Sequence, residues 1–290
     1  MKKILVNGAN GWLGRSVIRL AGAEFTSPGV REDRGGFESS VLIGSDGQIE
    51  RGSLSEFDTV INCAGRVNGK SDELEQANIV HAFQLAKSAK SEGIRRFVQV
   101  SSFSIYGNTE LISSQTPSSP ATAYGRSKLS AENALLSLCS SDFAVTCVRL
   151  PFMFSVSKPA LIRDLINALQ ILPFWPTLPR PTQRSMLTYD AAADFLLQAA
   201  LDGPPGIVAA ADPYLFSVER LVSTMHRYGL STAKLVPVPL WCARPVRYLL
   251  PGIGRRLFQS SVLHDEHNWG RNRMNGVGID SEIEAILALK

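Results

Sequence analysis

Short apolar runs separated by helix-length segments fill the first two thirds of this chain, and that alternation limits its fold more than any other feature. ILV (4–6) leads into a glycine cluster and a helical stretch over 12–21. TVIN (59–62) precedes a polar helix at about 71–91, and FVQVSS (97–102) follows it. A second helix is expected over about 122–139, and then AVTCVRL (144–150). Strands alternating with helices of this length read as βαβ units in a parallel sheet. Their near-continuous apolar character fits a sheet covered on both faces. The predicted class is α/β, a doubly wound parallel sheet.

Beyond Leu150 the pattern loosens. Residues 170–183, QILPFWPTLPRPTQ, hold four prolines, exclude a regular helix and read as a loop returning the chain to the main body. SMLTYDAAADFLLQAAL (185–201) resumes the strand–helix rhythm, and VERLVSTMHRYGL (218–230) reads as a helix ending at Gly229. With 290 residues, 44% of them hydrophobic, the chain can bury a sizeable core. A formal charge of +4 is met as well by a phosphate-bearing small substrate as by nucleic acid, and no nucleic-acid partner is expected. Cys63, Cys139, Cys147 and Cys242 form no CxxC pair and show no ligand spacing with His81, His226, His264 or His267. That pattern argues against a disulfide framework and a zinc site, so no metal is expected. MKKILVNGANG lacks the apolar stretch of a signal peptide, and no run reaches the roughly 18 apolar residues of a membrane span. A reducing, cytoplasmic location is the expectation.

VNGANGWLGRS sets Gly8, Gly11 and Gly14 directly after the first strand, at the opening of a helix. In such a loop the first glycine permits a tight turn and the second lets backbone approach a pyrophosphate. The third allows close helix–strand packing, with the phosphates on the helix N-terminus. A purely structural turn is the alternative, and the strand–turn–helix frame favours dinucleotide binding. The sheet is then Rossmann-type. The expected organisation is a dinucleotide-binding domain over 1–155, to which 184–212 return, and a smaller C-terminal substrate-binding lobe made of 156–183 and 213–290.

The GxxGxxG spacing resembles that of the extended short-chain dehydrogenases/reductases, the NAD-dependent epimerase/dehydratase group. The resemblance continues through NCAG (62–65), through Asn78 where the family opens its next helix with an asparagine, through SSFSIYG (101–107), and through AYGRSK (123–128), which matches the family's YxxxK. RSMLTYDAAADFL (184–196) resembles the segment whose arginine meets the substrate's phosphates, and the likeness fades beyond about residue 235. It implies cofactor contacts from Gly8, Asn10, Gly11, Trp12, Leu13 and Gly14, from Cys63, Ala64 and Gly65, and from Asn78, Lys128 and Pro151. It also implies that Lys128 holds the nicotinamide ribose.

Tyr124 and Lys128 stand four apart on an expected helix, so both face one way. A neighbouring ammonium, together with the cofactor's positive nicotinamide, is expected to lower the tyrosine's pKa towards neutrality, giving a proton donor or acceptor as hydride moves. Ser102 is the expected partner of the reacting oxygen, because it precedes Tyr106 by four as the family's serine or threonine does. The expected catalytic set is Tyr124, Lys128 and Ser102. Substrate contacts are expected from Ser102, Ser104, Tyr124 and Arg184, although Arg184 also reads as a surface arginine. The family's sugar dehydratases carry an acidic pair after the serine or threonine, where this chain has Phe103 and Ser104, so dehydration is disfavoured.

VREDR (30–34) stands near the expected end of the second strand. Arg31 and Arg34 favour the 2′-phosphate of NADP(H), while Glu32 and Asp33 leave NAD(H) open, and the balance leans slightly to NADP(H). In RLPFMFS (149–155) and beyond, Ser155 and Ser157 replace the family's usual glycines. LWCARPVRYLLPGIGRRLF (240–258) reads as a packed helix and a turn, or as a basic–aromatic cover for substrate or a membrane surface. The resemblance implies an NAD(P)-dependent oxidoreductase acting on a nucleotide-linked sugar, with 4-keto reduction in surface-polysaccharide (O-antigen type) synthesis first. A C4 epimerase, a reductase of hydrophobic alcohols or ketones, and a non-catalytic NADP-binding regulator are the alternatives. Dimerisation through cofactor-domain helices is also implied.

Overall fold

The computed structural model describes residues 3–22, 26–31, 41–44, 46–50, 52–159, 161–239, 260–264, 266, 268–269 and 278–289. A seven-stranded sheet forms its centre, with strand order β11-β7-β5-β4-β1-β2-β3 and every pairing parallel. The strands are β1 (Lys3–Asn7), β2 (Thr26–Arg31), β3 (Val41–Ile43), β4 (Phe57–Asn62), β5 (Arg96–Ser102), β7 (Ala144–Leu150) and β11 (Gly206–Ala209). Chain order reverses beside β1, between β2 and β4, which is where an open α/β sheet leaves a crevice at the carboxyl ends of its strands.

Alternate strand residues feed two cores. Ile4, Val6, Ile61, Val98 and Val148 point to one face, where α1 (Trp12–Ala21) lies against α6 (Tyr189–Asp202). Leu5, Val60, Phe97 and Val145 point to the other, under α3 (His81–Ser91) and α4 (Ala123–Leu136). Two-sided burial explains why these strands are apolar throughout rather than alternating. The expected helix at 71–91 is continuous but not uniform: α2 (Ser71–Glu75) passes through a π-helical turn at Gln76–Val80 into α3. A π turn inserts one extra residue and shifts the face a helix presents.

The stretch expected as a Pro-rich loop contains a strand. β9 (Phe174–Thr177) pairs in parallel with β12 (Lys234–Pro237), after α5 (Leu161–Ile171). Pro176 is tolerated because a two-stranded sheet has only edges. The short strands β8 (Phe152–Phe154) and β10 (Met186–Thr188) also pair, as do β6 (Leu111–Ile112) and β13 (Val262–Leu263). A further core joins Phe154, α5, Met186, α7 (Val218–Arg227) and the last helix α8 (Ile279–Ala288). Helix α7 starts on Ser217, whose side chain accepts from the Arg220 N–H, and is followed by Gly229 at φ +67°. Among the described residues no helix is long and apolar enough to cross a membrane. Residues 240–258 lie outside the described set.

Behind α4 sits a buried ion pair. Arg149, near the end of β7, donates to both Glu132 oxygens on α4, with Nη2 to Oε2 at 2.6 Å, and the side chains are 6% and 1% exposed. Ser101 of β5 donates to the same carboxylate at 2.5 Å, and the guanidinium stacks 4.7 Å from the Tyr106 ring centroid. Burial works against the guanidinium's charge, but the bond and charge of Glu132 more than offset it, and its pKa is raised. Glu132→Gln leaves the guanidinium buried without a counter-charge. It is expected to cost about 3–5 kcal/mol, read as a lower urea midpoint at unchanged slope.

Candidate functional site

A cleft of about 940 Å³ opens at the carboxyl end of the sheet, where the chain order reverses. Gly8, Ala9, Asn10 and Gly11 form one wall and Cys63, Ala64 and Gly65 the other. Gly8 has φ +80°, and a Cβ there would lie 2.6 Å from the Ala64 amide nitrogen. A Cβ at Gly14 would lie 2.3 Å from the Gly8 carbonyl oxygen. A side chain at Gly8 would collide with the opposite wall and one at Gly14 would push α1 off the glycine turn, so the backbone is left bare at the start of α1, the arrangement that suits a dinucleotide's diphosphate.

Of the residues expected around a cofactor, Gly8, Asn10, Gly11, Cys63, Ala64 and Gly65 line the cleft. Leu13 and Gly14 do not. Leu13 is buried in the core beneath α1, and Gly14 serves by letting the helix close on Gly8. Trp12 is 45% exposed at the first position of α1. Pro151 is buried between β7 and β8 and is not among the lining residues. Arg34 and the Arg31 side chain lie outside the described residues, although β2 ends at Arg31 near the expected position.

Asn78 corrects the expectation that it opens a helix. It lies in the π turn, buried, where its Oδ1 accepts from the Arg66 N–H at 2.7 Å. Its Nδ2 donates to the Arg66 carbonyl and the Ser127 hydroxyl. Asn78 thus ties the loop after β4 to α4. The same helix sends Asp72, Glu73, Gln76, Ala77 and His81 to the cleft wall, and Arg66 joins them. None of these was expected from sequence, because the π turn changes which residues of the helix face inward.

Helix α4 starts on Thr122, whose hydroxyl accepts from the Gly125 N–H at 3.0 Å. A Cβ at Gly125 would lie 2.6 Å from the Ser104 carbonyl oxygen, so this glycine lets α4 press on the 3₁₀ turn Phe103–Tyr106. The approach brings Tyr124 beside the Ser102 side chain, which favours the phenolate. Ser102 also caps the turn by accepting from the Ser104 N–H at 3.2 Å. The Ser104 hydroxyl, on the same turn, is buried without a partner among the described residues.

Lys128 is 3% exposed and donates to the Val100 carbonyl at 2.6 Å. Its Nζ lies 3.9 Å from a Cβ built at Gly65, so the ammonium borders the cleft. Burial pulls its pKa down to about 8, against the opposing charges of Cys147, Glu132 and Cys63. Among the protein's own groups, burial raises the Tyr124 pKa above its ordinary value, and the Ser102 side chain offsets this only in part. Desolvation disfavours the phenolate before any neighbouring cation can favour it. Arg184 is held by its backbone, exchanging both N–H···O bonds with Phe216, and it does not line the cleft.

A doubly wound parallel sheet with a glycine-lined crevice at its switch point is the Rossmann-type, dinucleotide-binding class of fold. The chain belongs to the NAD-dependent epimerase/dehydratase family, whose model matches residues 4–170. It is 24% identical to a UDP-glucose 4-epimerase of Vibrio cholerae over 270 residues, 83% of this chain and 80% of the relative. Among solved structures, the UDP-N-acetylglucosamine 4-epimerase of Bacillus cereus superposes with a TM-score of 0.73 at 15% identity, covering 100% of both chains. The Bordetella bronchiseptica enzyme WbmG, in complex with NAD and UDP, gives 0.70 at 22% identity, covering 99% of this chain and 94% of that one. Family membership makes this an NAD(P)-dependent enzyme.

Gly14→Val is expected to abolish NADH binding in a fluorescence titration and to lower stability by about 1–3 kcal/mol through overpacking. Gly11→Ala, whose Cβ would stand 3.2 Å from the Gly8 carbonyl oxygen, needs only a small shift and should retain measurable binding.

Proposed function

We propose that this enzyme exchanges hydride between a nicotinamide cofactor and C4 of a nucleotide-linked sugar, and that its net reaction is 4-keto reduction, in surface-polysaccharide synthesis. The approach of Tyr124 to Ser102, with the unpartnered Ser104 hydroxyl on the same turn and the buried Lys128 one helical turn from Tyr124, carries the reading. The nicotinamide supplies the hydride when bound. Tyr124, its pKa raised, stays protonated at neutral pH and donates the phenolic proton to the sugar oxygen. Ser102 orients that oxygen, and Ser104 offers a further hydrogen bond to the ring. Lys128 presents its charge to the ribose at the Gly65 side of the cleft. Phe103 and Ser104 lack the carboxylates that elimination of water requires, which supports redox chemistry over dehydration. NADP(H) is the proposed cofactor, from Arg31 at the end of β2.

A second reading, C4 epimerisation with retained cofactor, is favoured by the likeness to UDP-glucose 4-epimerase. The same residues serve it, with Tyr124 taking the proton before returning it. Incubation with NADPH or NADH and UDP- or GDP-linked 4-keto-6-deoxy sugars separates the two. Reduction consumes absorbance at 340 nm, and Tyr124→Phe should lose about two to four orders of magnitude in rate, the usual worth of a positioned acid. Conversion of UDP-glucose to UDP-galactose without net cofactor turnover supports epimerisation and rejects reduction.

Lys128 fixes the alkaline limit. Its ammonium, with a pKa near 8, loses its proton as pH rises through that value, so kcat/KM for reduction should fall above about pH 8. Stability should not fall for the same cause. Between about 8 and the ordinary 10.5 the unfolded chain holds a proton that the folded chain has released, so Lys128's own contribution to stability rises with pH. Lys128→Arg keeps the charge and should remove the limb from the pH–rate profile.

A further inference from the structure

The turn after β8 holds a cation near the start of α1. Ser155 N–H donates to the Lys158 carbonyl at 3.2 Å, and Lys158 N–H donates back to the Ser155 carbonyl and hydroxyl, both at 3.1 Å. The Val156 N–H donates to the Glu282 carboxylate of α8 at 2.5 Å, and the Val156 side chain packs on the core shared by α5, α7 and α8. The turn is therefore pinned on one side, while the Lys158 side chain reaches to the other. Its Nζ lies 5.7 Å from the ring centroid of Trp12. No described carboxylate pairs with it.

Position gives this contact its meaning. Trp12 is the first residue of α1 and follows Gly11, which lines the cleft and caps the helix. The turn itself follows β7 and β8 in the chain. Lys158 is thus held beside the start of α1, the helix end on which a dinucleotide docked on the glycine loop would carry its two phosphates. The bare amides and the helix end supply only partial positive charge there. An aromatic face at an exposed site is a weak resting place for an ammonium, and a diphosphate is a far stronger partner.

We propose that Lys158 is a diphosphate clamp, exchanging the Trp12 ring for the phosphates of the bound cofactor and holding the 155–158 turn across the cleft. The proposal rests on reading the glycine cleft as the cofactor site. It assigns the lysine to the cofactor's diphosphate and not to that of a nucleotide-linked substrate.

Isothermal titration of the full chain tests it, with NADH, NADPH, ADP-ribose, adenosine and UDP against wild type, Lys158→Met and Lys158→Arg. In Lys158→Met the affinities for the dinucleotides and ADP-ribose should fall about tenfold, equivalent to about 1.4 kcal/mol. Adenosine and UDP should be unaffected. Lys158→Arg should restore most of the loss, and the salt dependence of NADH binding should be shallower in Lys158→Met than in wild type. Unchanged dinucleotide affinity in Lys158→Met overturns the clamp, as does an equal loss for adenosine. A loss for UDP alone overturns it in favour of a substrate contact. A wild-type chain that binds neither dinucleotide overturns the cofactor reading together with the clamp.

Discussion

The ion pair between Glu132 and Arg149 joins three elements at one buried point. Ser101 of β5 donates to the Glu132 carboxylate, Arg149 of β7 forks onto it, and Glu132 belongs to α4, which also carries Tyr124 and Lys128. Ser102 is the next residue along β5. The pair therefore sets the helix bearing the candidate proton donor against the strand bearing its partner, one residue from the site. Charges this deep are expensive to desolvate and seldom the cheapest way to stabilise a core. Their value here is directional: a bidentate fork accepts one rotation of α4, whereas apolar contacts tolerate several. Val100 adds a second restraint, since its carbonyl accepts the Lys128 ammonium from the same strand.

Around that point the structure solves a problem common to parallel sheets. The carboxyl ends of the strands need something to bond, and here they bond each other. Asn7, Asn62 and Gln99, on β1, β4 and β5, form a chain of buried side-chain amides linked at 2.8 Å, with His81 at 3.2 Å from Asn7. Asn62 also accepts from the Ala64 N–H, so the chain shapes the loop that forms one cleft wall. Satisfied buried networks of this kind rigidify their surroundings. They explain how glycines and alanines, which contribute little packing of their own, can form a defined cavity.

The main sheet was largely legible in sequence because its information is local. β1 and α1, the helix at 71–91, β5, α4 and β7 were each marked by an apolar run or a helical period, and the glycine loop and YxxxK fall where those elements put them. What escaped was non-local. β9 reads as a proline-rich loop until β12, some 60 residues later, supplies its partner. The π turn has no compositional mark, so the inward residues from Asp72 to His81 could not be picked out. Gly125 was readable in principle, as a glycine in the first turn of a helix, but its reason lies in the Ser104 carbonyl on another element. The burial that raises the tyrosine's pKa was hidden for a similar cause: spacing shows a neighbouring ammonium, while burial depends on the whole fold.

The bond between Val156 and Glu282 closes a loop of 126 residues, and β6 waits for β13 over a still longer interval. Contacts of such range are slow to form because closure entropy must be met before they stabilise anything. Six of the seven strands of the central sheet, all but β11, are complete by residue 150. During synthesis the glycine crevice and the pairing of β5 with β7 can thus assemble while the last helix is still unmade. The turn bearing Lys158 has no anchor until α8 emerges. A nascent chain would accordingly form its glycine crevice before the 155–158 turn is pinned, which makes α8 the timing element for the anchoring of that turn.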